Sequence, residues 1–133
     1  MTQEEKQLLL IDLCARLPYR VKCADFAYDK DGNSVRTINI LETIFPSNQR
    51  YIYINVDSIH NISRIKPYLR PMSSMTKEER KEWQARALMH PKTVFADKLD
   101  CLIDWLNEHH FDYRGLIEKG LALEAPTDMY KTE

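Results

Sequence analysis

Residues 107–120 read "NEHHFDYRGLIEKG" and bring His109, His110, Asp112, Tyr113 and Arg114 within a few positions of one another. Imidazoles and a carboxylate so close together could hold a metal ion or pass a proton, which makes a metal-dependent enzyme at His109, His110 and Asp112 one reading of this chain. Neighbouring residues on a helix point about 100° apart, so the two histidines need further ligands from elsewhere to share one ion. The architectural reading gives each residue a different task. His109 and His110 fall in the last turn of a helix, where positive charge complements the exposed carbonyls. Asp112 then caps a short helix that starts at Tyr113, with Phe111 and Leu116 as a hydrophobic staple and Gly120 just past its end. Arg114, next to Gly115, is left to bind an anion or to pair with a carboxylate.

Two other stretches carry candidate chemistry. "DKDGNS" places Asp29, Asp31 and Asn33 at the first, third and fifth positions of a calcium-loop template, but Ser34 stands where glycine is required and Ile40 where glutamate is. A hairpin turn in which Gly32 or Asn33 takes a positive φ is the better account. From Ile59 to Lys77 the chain has Arg64, Lys66, Arg70 and Lys77 and no acid, with Tyr68 and two prolines between the cations. Arg64, Lys66, Tyr68 and Arg70 could face phosphate or an acidic protein patch; alternatively the stretch is a solvated connector. Ser73 and Ser74 lack the frame of an activated serine, and no glycine-rich phosphate loop is present. No cofactor is implied.

The elements that would position these groups are legible in part. Thr2 and Glu5 form a capping box ahead of Leu9, Leu10, Leu13, Cys14 and Leu17, so a helix is expected over about 3–16, stopped by Pro18. β-Branched and aromatic residues predict three strands at about 20–28, 35–45 and 50–56, arranged as an antiparallel meander. Ile59, Ile62, Ile65 and Leu69 then recur at steps of three and four, the spacing of a turn or two of helix interrupted by Pro67. Thr76 and Glu79 make a second capping box for a helix to about Met89, packed by Trp83, Ala87 and Leu88. A further helix, about 94–109, aims Phe95, Leu99, Leu102 and Leu106 at the core. The expected fold is α+β in one domain of 133 residues: an N-terminal helix, a small antiparallel meander or partly open barrel, and a C-terminal helical half from residue 71.

Composition bounds the class. Apolar residues at 44% and charged residues at 29% are ordinary globular values. Residues 1–70 hold ten Lys and Arg against eight Asp and Glu, and the remainder nine against twelve, so the charge alone does not mark a nucleic-acid binder. No apolar run reaches the length of a signal core or a membrane span. Cys14, Cys23 and Cys101 are odd in number and set in apolar surroundings, the pattern of buried free thiols in a reducing cytoplasm.

"DLCARLPY" (12–19), "KPYLRPMSSMT" (66–76) and "DWLNEHHFDYRGLIEKGLALEAPTDMY" (104–130) together resemble a family of short proteins of Bacteroides-type gut anaerobes and their phage-like mobile elements. The resemblance covers about a third of the chain and implies a soluble cytoplasmic protein associated with a prophage or mobile element. No established activity comes with it, and so no catalytic residue is carried over. The leading expectation is a non-enzymatic module that binds another protein. The main alternative is a weak nucleic-acid binder using the meander and the Arg64 to Arg70 stretch. Arg114 joins Arg64, Lys66, Tyr68 and Arg70 as a candidate contact residue. If the compartment is reducing, alkylation under denaturing, non-reducing conditions should label all three thiols in the intact mass, and labelling of a single thiol would reveal a disulfide.

Overall fold

A computed structural model describes residues 2–28, 30–41, 43–44, 51–55, 58–61, 65–88 and 95–130. The first helix, α1 (Gln3–Arg16), opens with the expected capping box: the Thr2 hydroxyl accepts from the Glu5 amide at 3.1 Å, and the Glu5 carboxylate accepts from the Thr2 amide at 2.9 Å. Its buried stripe is Leu9, Asp12, Leu13 and Arg16 at helical spacing. This corrects the apolar reading of the helix, because Cys14 is exposed and two charged residues take the inward positions.

Strands β1 (Lys22–Tyr28) and β2 (Ser34–Ile40) form an antiparallel hairpin in register from Lys22–Ile40 to Tyr28–Ser34. Gly32 takes the left-handed conformation at φ 81° in the turn, as the hairpin reading requires. Short β3 (Thr43–Ile44), β4 (Tyr51–Asn55) and β5 (Ser58–Asn61) make a separate three-stranded antiparallel sheet. The α+β class holds, but the strands expected as one meander divide between two sheets. The larger sheet is open and mixed, in the order β2-β1-β6-β7, with β8 also paired to β6.

Strand β6 (Ile65–Pro71) occupies the stretch where isoleucine and leucine spacing predicts helix. Its burial pattern explains the reversal. Ile65, Pro67, Tyr68 and Leu69 are all buried, a strand covered on both faces, and such strands lose the alternation that identifies them locally. β6 runs antiparallel to β1 and parallel to two-residue strands β7 (Phe111–Asp112) and β8 (Leu123–Glu124). The Arg70 amide donates to the His110 carbonyl at 2.7 Å and the Ala125 amide to the Leu69 carbonyl at 2.8 Å. Successive residues of a strand turn their backbone groups to opposite edges, so β7 and β8 flank β6 on opposite sides.

Beyond the Cys23–Pro67 pair the register would set Lys22 opposite Tyr68, and there the ladder is bridged by a side chain. The Tyr130 hydroxyl accepts from the Lys22 amide at 2.9 Å and donates to the Tyr68 carbonyl at 2.7 Å. The last described residue is thereby fixed to the first strand.

Two apolar clusters hold these elements. Leu9, Leu13, Val21, Cys23, Leu41, Ile65, Leu69, Leu116 and Leu121 form the larger, between α1 and the sheet. Trp105, Leu106 and Phe111 form the smaller, with Met72, Met75, Trp83 and Tyr113 against it. The smaller one joins α2 (Lys77–Leu88) to α3 (Phe95–Glu108), where the Trp83 indole N–H donates to the Leu102 carbonyl at 3.2 Å. Leu99, expected in the core, is 44% exposed. Phe111 and Leu116 lie in different clusters, and residues 113–120 contain no helix, only a bend at Arg114 and turns over 116–120, so the expected short helix and its staple do not form. Phe111 nevertheless has no exposed surface, and its ring lies beside Trp105 at 5.8 Å and under the Arg70 guanidinium at 4.2 Å. Phe111→Ala should therefore cost about 3 to 5 kcal/mol in denaturant unfolding, the range for emptying a buried aromatic site. A loss below about 1 kcal/mol would mean that the site collapses around the deletion.

Candidate functional site

The residues after α3 do not converge on one point. His109 stacks on Trp105 with ring centroids 3.9 Å apart, and its Nδ1 lies 2.9 Å from the Trp105 carbonyl. A carbonyl only accepts, so Nδ1 carries the proton and Nε2 of the neutral ring is left as an acceptor. His110 turns away with φ at 64° and stacks on Tyr130 at 3.7 Å. Both oxygens of Asp112 are taken by backbone, Oδ1 by the Leu116 amide at 2.9 Å and Oδ2 by the Ile117 amide at 3.0 Å. Asp112 is a cap, though of a turn and not of a helix. Among the described residues, no three of His, Cys, Asp and Glu are grouped to hold a metal ion.

Arg114 belongs to a buried charge network. Asp12 and Arg16 are fully buried and paired at 2.8 Å, and a second Arg16 nitrogen donates to the Phe111 carbonyl at 2.6 Å. Arg114 closes on the other Asp12 oxygen at 2.7 Å, and both guanidiniums lie by the Tyr113 ring, at 5.4 and 4.7 Å. Its role is the carboxylate pairing foreseen as one of two possibilities. Near this network burial pushes the Cys23 thiol up to about 12, with the Asp12 carboxylate adding to the shift, so Cys23 is an inert core residue.

The acid-free stretch is also reassigned. Arg64 lies outside the described residues. Tyr68, expected as an exposed aromatic, is 4% exposed. Arg70 is bound by both its terminal nitrogens to Glu79 at 2.7 Å and lies over Phe111. Lys66 is half-buried with its ammonium 5.7 Å from the Phe26 ring. Arg70 looked unpaired because Glu79 already had a task in the sequence, the second capping box. It performs both: Thr76 and Glu79 exchange side-chain and amide bonds at 3.1 Å while the same carboxylate clamps Arg70. Hydrogen bonds from Arg70, above all, hold the Glu79 carboxyl down at about 2.

These contacts frame a cleft of about 580 Å³. Arg70 and Pro71 end β6 on one wall, Ser74, Thr76 and Glu79 lead into α2, His109 stands at the end of α3, and residues 124–127 with Tyr130 close the far side. His109 and Arg70 stand out in the sequence as candidate site residues, whereas Glu79, Glu124 and Tyr130 do not. The capping box marks Glu79 as a fixed carboxylate; nothing local marks Glu124 or Tyr130, whose places depend on β8 and on the Lys22–Tyr68 gap. Set against protein-family models, curated proteins and solved structures, the chain matches none. No helix among the described residues is long and apolar enough to cross a membrane.

His110 behind this cleft is buried, and its Nδ1 has no hydrogen-bond partner among the described residues. Burial first, then the positive charge of Arg16, pulls it from the ordinary histidine value down to about 3. The folded protein thus resists a proton that the unfolded chain accepts, so His110 favours folding above about pH 6.5 and this contribution is lost as pH falls towards 3. Between pH 6.5 and 5.5, above the ordinary value of 4.5 at which Glu79 of the unfolded chain takes up its proton, unfolding free energy should fall by up to about 1.4 kcal/mol per pH unit. His110→Asn, which keeps a residue tolerant of positive φ, should flatten that slope. An unchanged slope would assign the acid sensitivity to other groups.

Proposed function

We propose that the protein is a non-enzymatic interaction module that seats a segment of a partner protein in the cleft beside His109. The condition of the cleft walls carries this reading. Its volume lies within the range of about 300 to 1,000 Å³ usual for ligand sites. The groups on its β6 and α2 walls are already engaged: Ser74 donates to the Pro71 carbonyl at 2.7 Å, Thr76 caps α2, and Arg70 and Glu79 neutralise each other. That supports a preformed binding surface, which holds its shape without a partner and spends little on ordering when one arrives. A reacting centre would instead need an activated nucleophile or an acid–base pair within reach of each other. A reducing cytoplasmic setting fits three unlinked thiols, and an association with mobile elements rests on the resemblance of the segments quoted above.

The competing nucleic-acid reading draws on Lys66 beside Phe26, but its Arg70 is already neutralised and its Tyr68 is buried. One experiment separates the two. Thr127 is exposed at the cleft rim, and Thr127→Trp should fill the entrance without disturbing the core. Bait of either form is exposed to extract of the native host at several salt concentrations. The parent should retain one protein that Thr127→Trp loses, while both melt within a few degrees of each other. Retention of the same protein by both forms, or of nucleic acid alone with a steep salt dependence, would defeat the proposal.

A further inference from the structure

The charges around the cleft do not balance, and the imbalance states what it can hold. Arg70 and Glu79 cancel as a bidentate pair at 2.7 Å. Glu124 is exposed at the opposite wall, and no hydrogen bond or ion pair engages its carboxylate among the described residues. His109 adds Nε2, which accepts in the neutral tautomer that donates from Nδ1 to the Trp105 carbonyl. The cleft thus offers one unpaired carboxylate and one ring acceptor. An anion is poorly served here, because the Glu79 carboxylate already occupies both the Arg70 guanidinium and the first turn of α2.

Resting on the reading of the cleft as the partner's seat, we propose that it takes the cationic side chain of a basic peptide segment, with Glu124 as counter-charge and His109 Nε2 accepting from the ammonium or guanidinium. The remaining walls suit the rest of such a side chain. Pro71, Ala125 and Pro126 give apolar surface along which the methylene stem of lysine or arginine lies while its head reaches the carboxylate. Glu124 is held in position by the β8 pairing, in which Leu69 faces Glu124, and by the adjacent Ala125 amide on the Leu69 carbonyl at 2.8 Å. The counter-charge therefore sits on ordered backbone at the cleft edge.

The test uses the full chain and a fluorescent octapeptide in which lysine alternates with alanine, read by anisotropy. Saturable binding is expected, weakened at least about tenfold when the lysines are acetylated, when Glu124 is changed to lysine, or when Thr127→Trp fills the entrance. Glu124→Gln should fall between. Thermal melting of each variant checks that the fold is intact. If Thr127→Trp abolishes binding while acetylation and Glu124→Lys leave it unchanged, the cationic assignment fails and the cleft stands as the seat of a different ligand. If binding survives Thr127→Trp, the peptide lies elsewhere and the reading of the cleft falls with it. Absence of any saturable binding by the parent overturns the cationic assignment outright. Displacement of the peptide by spermidine at equal concentration of charge would make this a site for free polyamines and would sink the peptide assignment.

Discussion

A guanidinium without access to water calls for a counter-charge and hydrogen-bond acceptors, and the arrangement of this fold follows from the two partners that Arg16 finds. Asp12, one turn earlier on α1, supplies the charge at 2.8 Å, and the Phe111 carbonyl supplies an acceptor at 2.6 Å from the far end of the chain. That second bond fixes where the segment after α3 must run. Phe111 pairs with Arg70 in the β6–β7 ladder, which brings its ring beneath the Arg70 guanidinium and so aims that side chain at Glu79. A buried ion pair of this kind is weak evidence for stability, since apolar residues of the same volume often serve as well. Its contribution here is positional: Nε and one terminal nitrogen of Arg16 are engaged while Nη1 has no partner among the described residues, and the two bonds that do form set the cleft wall.

The same cation shapes its surroundings electrostatically. Arg16 is among the charges that keep His110 neutral, after burial itself. Arg70 and Lys22 act on His110 in the same direction, so a neutral imidazole is the form this site tolerates. His110 can then stack on Tyr130, which holds the wall opposite Arg70. The two adjacent histidines are divided by the backbone into separate roles: positive φ at 110 turns one ring inward, and the Trp105 carbonyl fixes the other at the cleft.

Features encoded by near neighbours could be read from the sequence. Both capping boxes, the positive φ at Gly32, α1 and α3 depend on residues a few positions apart, and the structure has them. What depends on distant partners could not. β6 imitates a helix because its isoleucine and leucine spacing is set by burial on two faces, and its neighbours come from residues 23–25, 111–112 and 123–124. Strands of two residues, such as β7 and β8, have no periodicity to detect. At the site, His109 announced itself by type, whereas Arg70 was mistaken for a free cation because a single carboxylate serves both it and α2. Asp12 and Arg16 stand at the i, i+4 spacing of an exposed helical ion pair, and only tertiary packing distinguishes the buried case.

The bridge made by Tyr130 has a consequence for how the chain is made. Lys22 and its hydroxyl partner are 108 positions apart, and Arg16 and Phe111 are 95 apart. At about 5 to 20 residues per second, translation leaves both early residues waiting on the order of 5 to 20 s for partners that have not yet been synthesised. During that interval α1 can form from its own capping box and its two leucines can meet Val21, Cys23, Leu41 and Ile65, but Arg16 still lacks the Phe111 carbonyl. Closure of the Arg16 network therefore follows the emergence of residue 111 from the ribosome, and closure of the Lys22–Tyr68 gap follows that of Tyr130.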